Sequence, residues 1–390
     1  MVALYGREIS RRELAMHAQL SQVAGVRLVT LGDGVERGIR MLEFRTGSGL
    51  RFTVLIDRAF DVADCEFRGA AIGWHSAAGF RHPGLHDYEG EAGLGFLRSF
   101  SGLLVTCGLD HILTPATEDA AHYNYPGRIS VQSSIHGRVS FIPGKLAAYG
   151  EEWRGDECWL FCEGEVRQSA VFGEDLLLVR RIEAKVGESC FVIRDRVVNR
   201  GFYRTPHMLL YHINVGYPVL AEGSRYVAPI LHTPWASHAA AYRAQGAGYR
   251  RLAAPRVNFR EQVWEHWMAA DEHGLVPVAL VNDTIGLGLM VETAKTELPC
   301  HYQWQSFHAG QYAMGIEPST NHILGKQFAK ERDELIWLEH DEHRGYTVRF
   351  SVLDGGAAIA AAEQRIAAIA EQTDDDYPDL SDRWDGISGR

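Results

Sequence analysis

Two histidines and one glutamate stand in sequence contexts from which they could move protons. His136 lies in Ser134-Ile135-His136-Gly137-Arg138. On an extended chain His136 and Arg138 project to one face, and Gly137 leaves the backbone open to a ligand. His212 lies in Leu209-Leu210-Tyr211-His212-Ile213-Asn214-Val215 and shares a strand face with Asn214. Its neighbours are apolar, so its imidazole should be buried, and a buried imidazole must be hydrogen-bonded or used. Glu317 lies in Ala313-Met314-Gly315-Ile316-Glu317-Pro318. Its strand face carries only Ala313 and Gly315 besides, which leaves room above the carboxylate, and Pro318 is expected to end the strand there. Imidazole and carboxylate can both exchange protons near neutral pH once their pKa values are suitably shifted. Each position also has a plain structural alternative: a surface histidine beside a turn, a satisfied core histidine, an edge-strand glutamate in solvent. Arg58, in Asp57-Arg58-Ala59-Phe60-Asp61, reads equally as a hydroxyl-binding group or as part of a structural ion pair.

Other chemistries find little support. There is no Gly-rich phosphate loop after a strand, no G-x-S-x-G elbow and no H-E-x-x-H. The eighteen histidines show no compact ligand spacing, and His207 and His212, five apart, face opposite sides of a regular strand. No metal site is therefore expected. Of the six cysteines only Cys158 and Cys162 are close, with no second pair at metal-ligand spacing.

The elements that must position these residues are short β runs. From Val26 to Leu353 the chain alternates such runs with Gly, Pro, Asp and Asn; examples are Arg40-Arg45, Leu50-Ile56, Trp159-Val166, Leu176-Val186, Cys190-Asn199, Met208-Val215 and Val276-Val281. Helical patterns of 10 to 15 residues do not intervene, so the class is an all-β sandwich or barrel rather than a parallel α/β fold. Met208-Ile213 is apolar on both faces apart from His212 and should lie at the centre of a sandwich. Residues 77–125, rich in Gly, His, Asp and Tyr, read as long loops over one face. Residues 7–23, with Ser10 as a cap, read as a short amphipathic helix, and the Ala-rich residues 357–371 as a second. The division is thus 1–24 as a helical extension, 25–355 as the β-sandwich and 356–390 as a helix with an acidic, mobile tail.

A net charge of -11 without any Lys/Arg block argues against nucleic acid as a partner. The N-terminus carries charges where a signal peptide needs its apolar core, and no apolar run approaches the 18 residues of a membrane span. Unpaired thiols fit a reducing compartment. A cytoplasmic protein with no membrane partner is expected.

Taken in order, the motifs resemble those of the galactose mutarotase-like superfamily, the aldose 1-epimerases, and within it a less characterised bacterial branch. His136-Gly137-Arg138 resembles the family's first histidine motif, His212-Ile213-Asn214 its second, and Gly315-Ile316-Glu317-Pro318 its late Glu-Pro motif. Arg58 stands where the family often carries a substrate-binding arginine. The marks Asp57-Arg58…Asp61-Val62 and Gly102-Leu103-Leu104-Val105-Thr106-Cys107-Gly108-Leu109 belong to the same branch. The resemblance covers roughly residues 25 to 355. It implies a galactose mutarotase-like β-supersandwich, here with short N- and C-terminal helices. It also implies an enzyme that interconverts sugar anomers by acid/base ring opening without a cofactor, with Glu317 as base and His212 as acid. Arg58, His136, Arg138 and Asn214 would bind the sugar, a small-molecule partner. The family's sugar-binding aspartate has no evident counterpart; Gln303 and Trp304 are the expected substitutes. A non-catalytic carbohydrate-binding protein, or another sugar isomerase or lyase, fits the same scaffold.

Overall fold

The short apolar runs pair into antiparallel sheets. The computed structural model describes residues 1–237, 248–322, 324–371 and 375. Nearly all of the acidic tail, from 373 on, lies outside the described residues. Three sheets carry the fold. An eight-stranded sheet runs in the order Lys145–Arg154, Glu157–Ser169, Asp175–Lys185, Cys190–Asn199, His343–Asp354, Leu287–Ala294, Leu275–Asn282, Arg225–Val227. A seven-stranded sheet runs Ile230–Ala236, Gln262–Met268, Cys300–Ser306, Ala313–Ser319, Thr205–Val215, Ile336–Leu338, with Leu104–Leu109 also paired to Thr205–Val215. A five-stranded sheet is built from Gly25–Thr30, Arg40–Arg45, Leu50–Leu55, Asp61–Phe67 and Ala70–Ala71.

Period-two patterning sets which faces meet. In Glu157–Ser169 the alternate residues Cys158, Leu160, Cys162 and Val166 are buried, while their neighbours are less so. Thr205–Val215 is buried along its whole length, as a strand at the centre of a sandwich must be. Phe52, Phe191 and Phe350 stack in sequence, with centroids 4.3 and 4.5 Å apart, and bind the five-stranded sheet to the eight-stranded one. A buried polar knot joins all three sheets. Arg180 pairs with Asp195 at 2.6 Å and with Asp61 at 3.4 Å, and the Tyr211 hydroxyl donates to Asp195 at 2.6 Å. Buried charges persist only when paired in this way.

Three details differ from the sequence reading. Residues 7–23 are not one helix: Arg7–Ile9 pairs back on Val2–Leu4 through a turn at Tyr5 and Gly6, both at positive φ. The helix proper is Arg11–His17, capped by Ser10, whose hydroxyl accepts from the Glu13 amide at 3.1 Å, and a short turn of helix follows at Leu20–Val23. Pro318 does not end its strand, which continues to Ser319 with Pro318 opposite His301. And His136-Gly137-Arg138 is not extended; it is a turn that enters a short helical segment at Val139–Phe141. The C-terminal helix is as expected, at Gly356–Ile369, and it lays Ile359, Ala362 and Ile366 against Val281 and Leu353.

Candidate functional site

The catalytic candidates come together because of strand register. Thr205–Val215 and Ala313–Ser319 are neighbours, with Ile213 opposite Ile316 and Asn214 opposite Gly315. That register sets His212 beside Glu317, and His212 Nε2 lies 3.2 Å from Glu317 Oε1. The two residues are separated by more than a hundred positions in sequence, yet both face one cavity of about 430 Å³. Its size falls in the range of small-molecule sites. The pair is close enough to share a proton but is not aligned as a hydrogen bond, since Glu317 Oε1 is buried without a hydrogen-bond partner.

His136 is the third polar group. Its ring centre is 5.5 Å from that of His212, and its Nδ1 is also buried and unpartnered. The backbone there is left-handed, with φ of 58° at His136 and 73° at Gly137. Such a conformation at a non-glycine residue is uncommon, and it turns the imidazole toward the cavity. Gly137 does not open the chain to a ligand, as the sequence suggested. A β-carbon there would run into the Gly108 and His111 carbonyl oxygens, so the glycine serves a close approach of two backbones.

Aromatic rings enclose the three polar groups. Trp304, from Cys300–Ser306, packs edge-on to His212 at 5.2 Å. Phe100 meets His212 at 4.7 Å, Phe96 meets His136 at 5.1 Å, and Trp74 touches both Phe100 and Trp304. Trp304 Nε1 donates to Glu261 Oε2 at 3.1 Å, which holds a second, exposed carboxylate at the rim.

Burial tunes the ionisable groups. The Glu317 carboxyl is pushed up to about 8, first by loss of solvation and then by the negative charge of Glu261. Burial also holds His212 well below the ordinary imidazole value. The nearby His136 ring adds to that effect, and the Asn214 side chain opposes it. His136 is lowered to about 3, mainly by burial and in smaller part by His111. Near neutral pH the cavity thus presents a protonated Glu317 beside two neutral imidazoles.

Four of the residues expected to bind a ligand do not line this cavity. Arg58 is buried, but its guanidinium donates to Ser140 O at 2.8 Å, Ser99 Oγ at 2.7 Å and Ser99 O at 3.1 Å, and it lies over the Phe141 ring. It anchors the segment that carries Phe96 and Phe100. Arg138 pairs with Glu174 at 2.9 Å. The Asn214 amide donates to Gly102 O at 3.1 Å, and Gln303 donates to Tyr249 O at 2.9 Å. All four are engaged with the protein itself. Trp304 is the substitute that does face the cavity. Sequence reasoning missed Trp74, Phe96, Phe100 and Glu261. The only local signal for any of them was that Trp74 adjoins, and the two phenylalanines lie within, the Gly-rich stretch expected to cover one face.

Among the described residues, no group of three or more His, Cys, Asp or Glu side chains is placed to hold a metal ion, and no helix is long and apolar enough to cross a membrane. All six cysteines are buried, and none forms a disulfide among the described residues.

Known structures share this architecture. A Klebsiella pneumoniae protein, assigned only provisionally as an aldose 1-epimerase, superposes with a TM-score of 0.82 at 22% identity over 96% of this chain and 95% of its own. A galactose mutarotase-like protein of Clostridium acetobutylicum gives 0.56 at 11% identity over 84% and 98%. A galactose 1-epimerase of Lactobacillus acidophilus gives 0.52 at 13% identity over 85% and 99%. No curated protein matches the chain. The family model of a domain of unknown function, DUF4432, matches residues 36–352. The chain belongs to the DUF4432 family, and its fold is that of the galactose mutarotase-like proteins.

Proposed function

We propose that the protein is an aldose 1-epimerase-like isomerase that opens and recloses the ring of a reducing sugar. The observation that carries this reading is the 3.2 Å approach of His212 Nε2 to Glu317 Oε1 inside an aromatic-walled cavity. Mutarotation takes the proton from the anomeric hydroxyl and delivers one to the ring oxygen. The C1–O5 bond breaks, C1–C2 rotates, and the ring recloses with the proton transfers reversed. One acid and one base suffice, and the His212–Glu317 pair holds one labile proton between them near neutral pH.

A sugar hydroxyl donated to the unpartnered Glu317 Oε1 favours the carboxylate and lowers its pKa. The proton then passes to His212. Glu317 acts as base on the anomeric hydroxyl, His212 as acid on the ring oxygen, and His136 presents its unpartnered Nδ1 to a sugar oxygen. Trp304 and Trp74 supply apolar faces for the C–H side of the ring. The epimerase assignments of the Klebsiella and Lactobacillus proteins agree with this reading, and the six reduced, buried cysteines fit a cytoplasmic enzyme of carbohydrate metabolism.

Exchange NMR between the anomers of free sugars tests the proposal. Acceleration by the wild type, with a loss of about 10²–10⁴ in Glu317→Gln, is expected. Glutamine keeps the volume and a hydrogen bond but cannot take the proton. Saturable sugar binding with no exchange on any sugar would instead make the protein a carbohydrate-binding module on this scaffold.

A further inference from the structure

We propose that the chain pairs with a second copy of itself through an exposed apolar patch built from four loops, at residues 121–129, 170–174, 200–204 and 339–342. The inference is independent of the acid/base reading.

Turn tips are ordinarily polar, because Gly, Asn, Asp and Ser supply the backbone freedom and the local hydrogen bonds that a reversal needs. Two tips here carry large apolar residues instead. Ala170-Val171-Phe172-Gly173 joins Glu157–Ser169 to Asp175–Lys185, and Gly201-Phe202-Tyr203 joins Cys190–Asn199 to Thr205–Val215. Val171 and Phe202 are each 84% exposed. Phe172 takes a left-handed backbone, with φ of 55°, where a glycine or an asparagine would sit at less cost.

The loops form one surface. The register that sets Leu176 opposite Asn199 puts the two tips side by side, and the Arg200 amide donates to Asp175 O at 2.7 Å. The Tyr125 ring stacks on Phe172 at 4.1 Å, Arg128 donates to Phe172 O at 3.1 Å, and Tyr123 meets Tyr203 edge-on at 6.1 Å. His340 stacks on Phe202 at 4.0 Å. Ile129, 71% exposed, and the partly exposed Tyr125, Phe172 and Tyr203 complete the patch. Isolated exposed hydrophobic residues are ordinary, whereas contiguous ones mark an interaction surface. The six side chains present on the order of 600 Å² of apolar surface, the upper limit for the largest patch of a typical monomer. With its polar rim the face approaches the roughly 800 Å² that each partner buries in a stable complex.

Charge selects the occupant. The chain carries a net charge of -11, so two copies repel over much of their surfaces. The rim of the patch instead carries both signs in pairs: Arg200 with Asp341 at 2.6 Å, Arg204 with Glu339 at 3.3 Å and Arg167 with Asp175 at 2.7 Å. Such a rim is self-complementary about a twofold axis, where each contact occurs twice with the roles exchanged. An aromatic centre inside a polar rim is also the anatomy of a protein–protein contact.

Sedimentation velocity of the full chain, from nanomolar to submillimolar concentration, tests the proposal. The wild type is expected to form a two-chain species that dissociates on dilution. Val171→Glu and Phe202→Glu place charge on exposed turn positions, so the circular dichroism spectrum should be unchanged. Each should raise the dissociation constant of the dimer about thirtyfold or more. Met16→Glu is the control: it is exposed on the helix Arg11–His17, whose first amide is held by Asp156 at the opposite end of Glu157–Ser169, and it should leave the dimer intact. Hydrogen exchange of the wild type reads the same face without a substitution, since protection of 170–174 and 200–204 should rise with concentration. A single-chain species at every concentration overturns the proposal. So does a dimer that both patch variants leave intact, or one whose concentration-dependent protection falls only outside the four loops. Flotation with phosphatidylcholine vesicles that requires Val171 and Phe202, in place of self-association, would overturn it in favour of a membrane surface.

Discussion

Gly315 lies directly beneath the carboxylate of Glu317: a β-carbon on Gly315 would fall 2.5 Å from Glu317 Oε1, 3.0 Å from Trp304 Cβ and 3.3 Å from His212 Cε1. The missing side chain makes the space in which the acid/base pair meets. The run of small residues on this strand face was legible in the sequence as room for a ligand. Its more immediate occupants are the catalytic candidates themselves.

Gly315→Ala should therefore disable the site more than the fold. The added methyl must push the Glu317 carboxylate away, since the Trp304 and Asn214 strands close the other sides. Overpacking of this kind costs about 1–3 kcal/mol of stability. A displacement of about 1 Å at reacting groups costs on the order of 10² in rate. The measurement is the exchange rate on the best sugar, alongside the melting temperature. A variant that folds and keeps full activity would show that the position of Glu317 does not matter.

Activity should fall on the alkaline side with a midpoint near pH 8. Turnover needs one proton on the His212–Glu317 pair. Glu317 loses its proton as pH rises through about 8, and His212, held far below its usual value, has none to give there. On the acid side both groups become protonated and the base is lost. Glu261 contributes to the raised Glu317 value through its negative charge, so Glu261→Gln should move the alkaline limb to lower pH. A pH–rate profile of kcat/KM for both proteins checks this, and an unmoved limb would remove Glu261 from the account.

Much of the architecture was legible because a two-residue period with turn residues at its ends is a local signal. Arg40–Arg45 and Cys190–Asn199 have the expected boundaries, and Met208–Ile213, within the strand Thr205–Val215, declares its central place by being apolar on both faces apart from His212. Gln262–Met268 was not seen, because it hides Gln262, Glu265 and His266 in the interior and so reads as polar. In the site, His136, His212 and Glu317 could be named from motifs and Trp304 as a substitute for the absent aspartate, and the four converge. Arg58 shows what a motif cannot convey. Its partners Ser99 and Ser140 lie 41 and 82 positions away, and only the tertiary fold decides that its guanidinium turns to them rather than to the cavity. Phe100 and Glu261 lie in irregular segments with no period at all, where a side chain's direction has no local signature.

Arg58→Lys should act on stability and leave sugar affinity nearly unchanged. A lysine cannot reproduce the fork that serves Ser140 O, Ser99 Oγ and Ser99 O together. Unmet acceptors in a buried place cost about 1–3 kcal/mol each. The melting temperature should drop by several degrees. KM on the best sugar, measured well below the melt, should stay within about twofold, because Arg58 does not line the cavity. A KM raised tenfold with no loss of stability would restore Arg58 as a sugar contact.

The last prediction reads Glu317 through stability rather than rate. Its pKa in the folded chain, about 8, lies above its ordinary 4.5. Between those values the folded protein keeps a proton that the unfolded chain releases. The stability due to the protonated carboxyl is thus fully present below about pH 4.5 and is lost progressively as pH rises to about 8, above which a buried carboxylate is retained at a cost. Glutamine does not titrate. The melting temperature of Glu317→Gln relative to wild type should therefore rise between about pH 4.5 and 8 and level off above. The gain should be on the order of a few kcal/mol at the plateau, since a tenfold change in acidity between the folded and unfolded chain is worth about 1.4 kcal/mol. Titrating groups that do not interact with Glu317 are common to both proteins and cancel in the difference. A variant more stable at high pH yet catalytically dead would show that this carboxylate is kept for chemistry against the preference of the fold. Parallel curves across the whole range would mean that Glu317 titrates normally and that its burial has no electrostatic consequence.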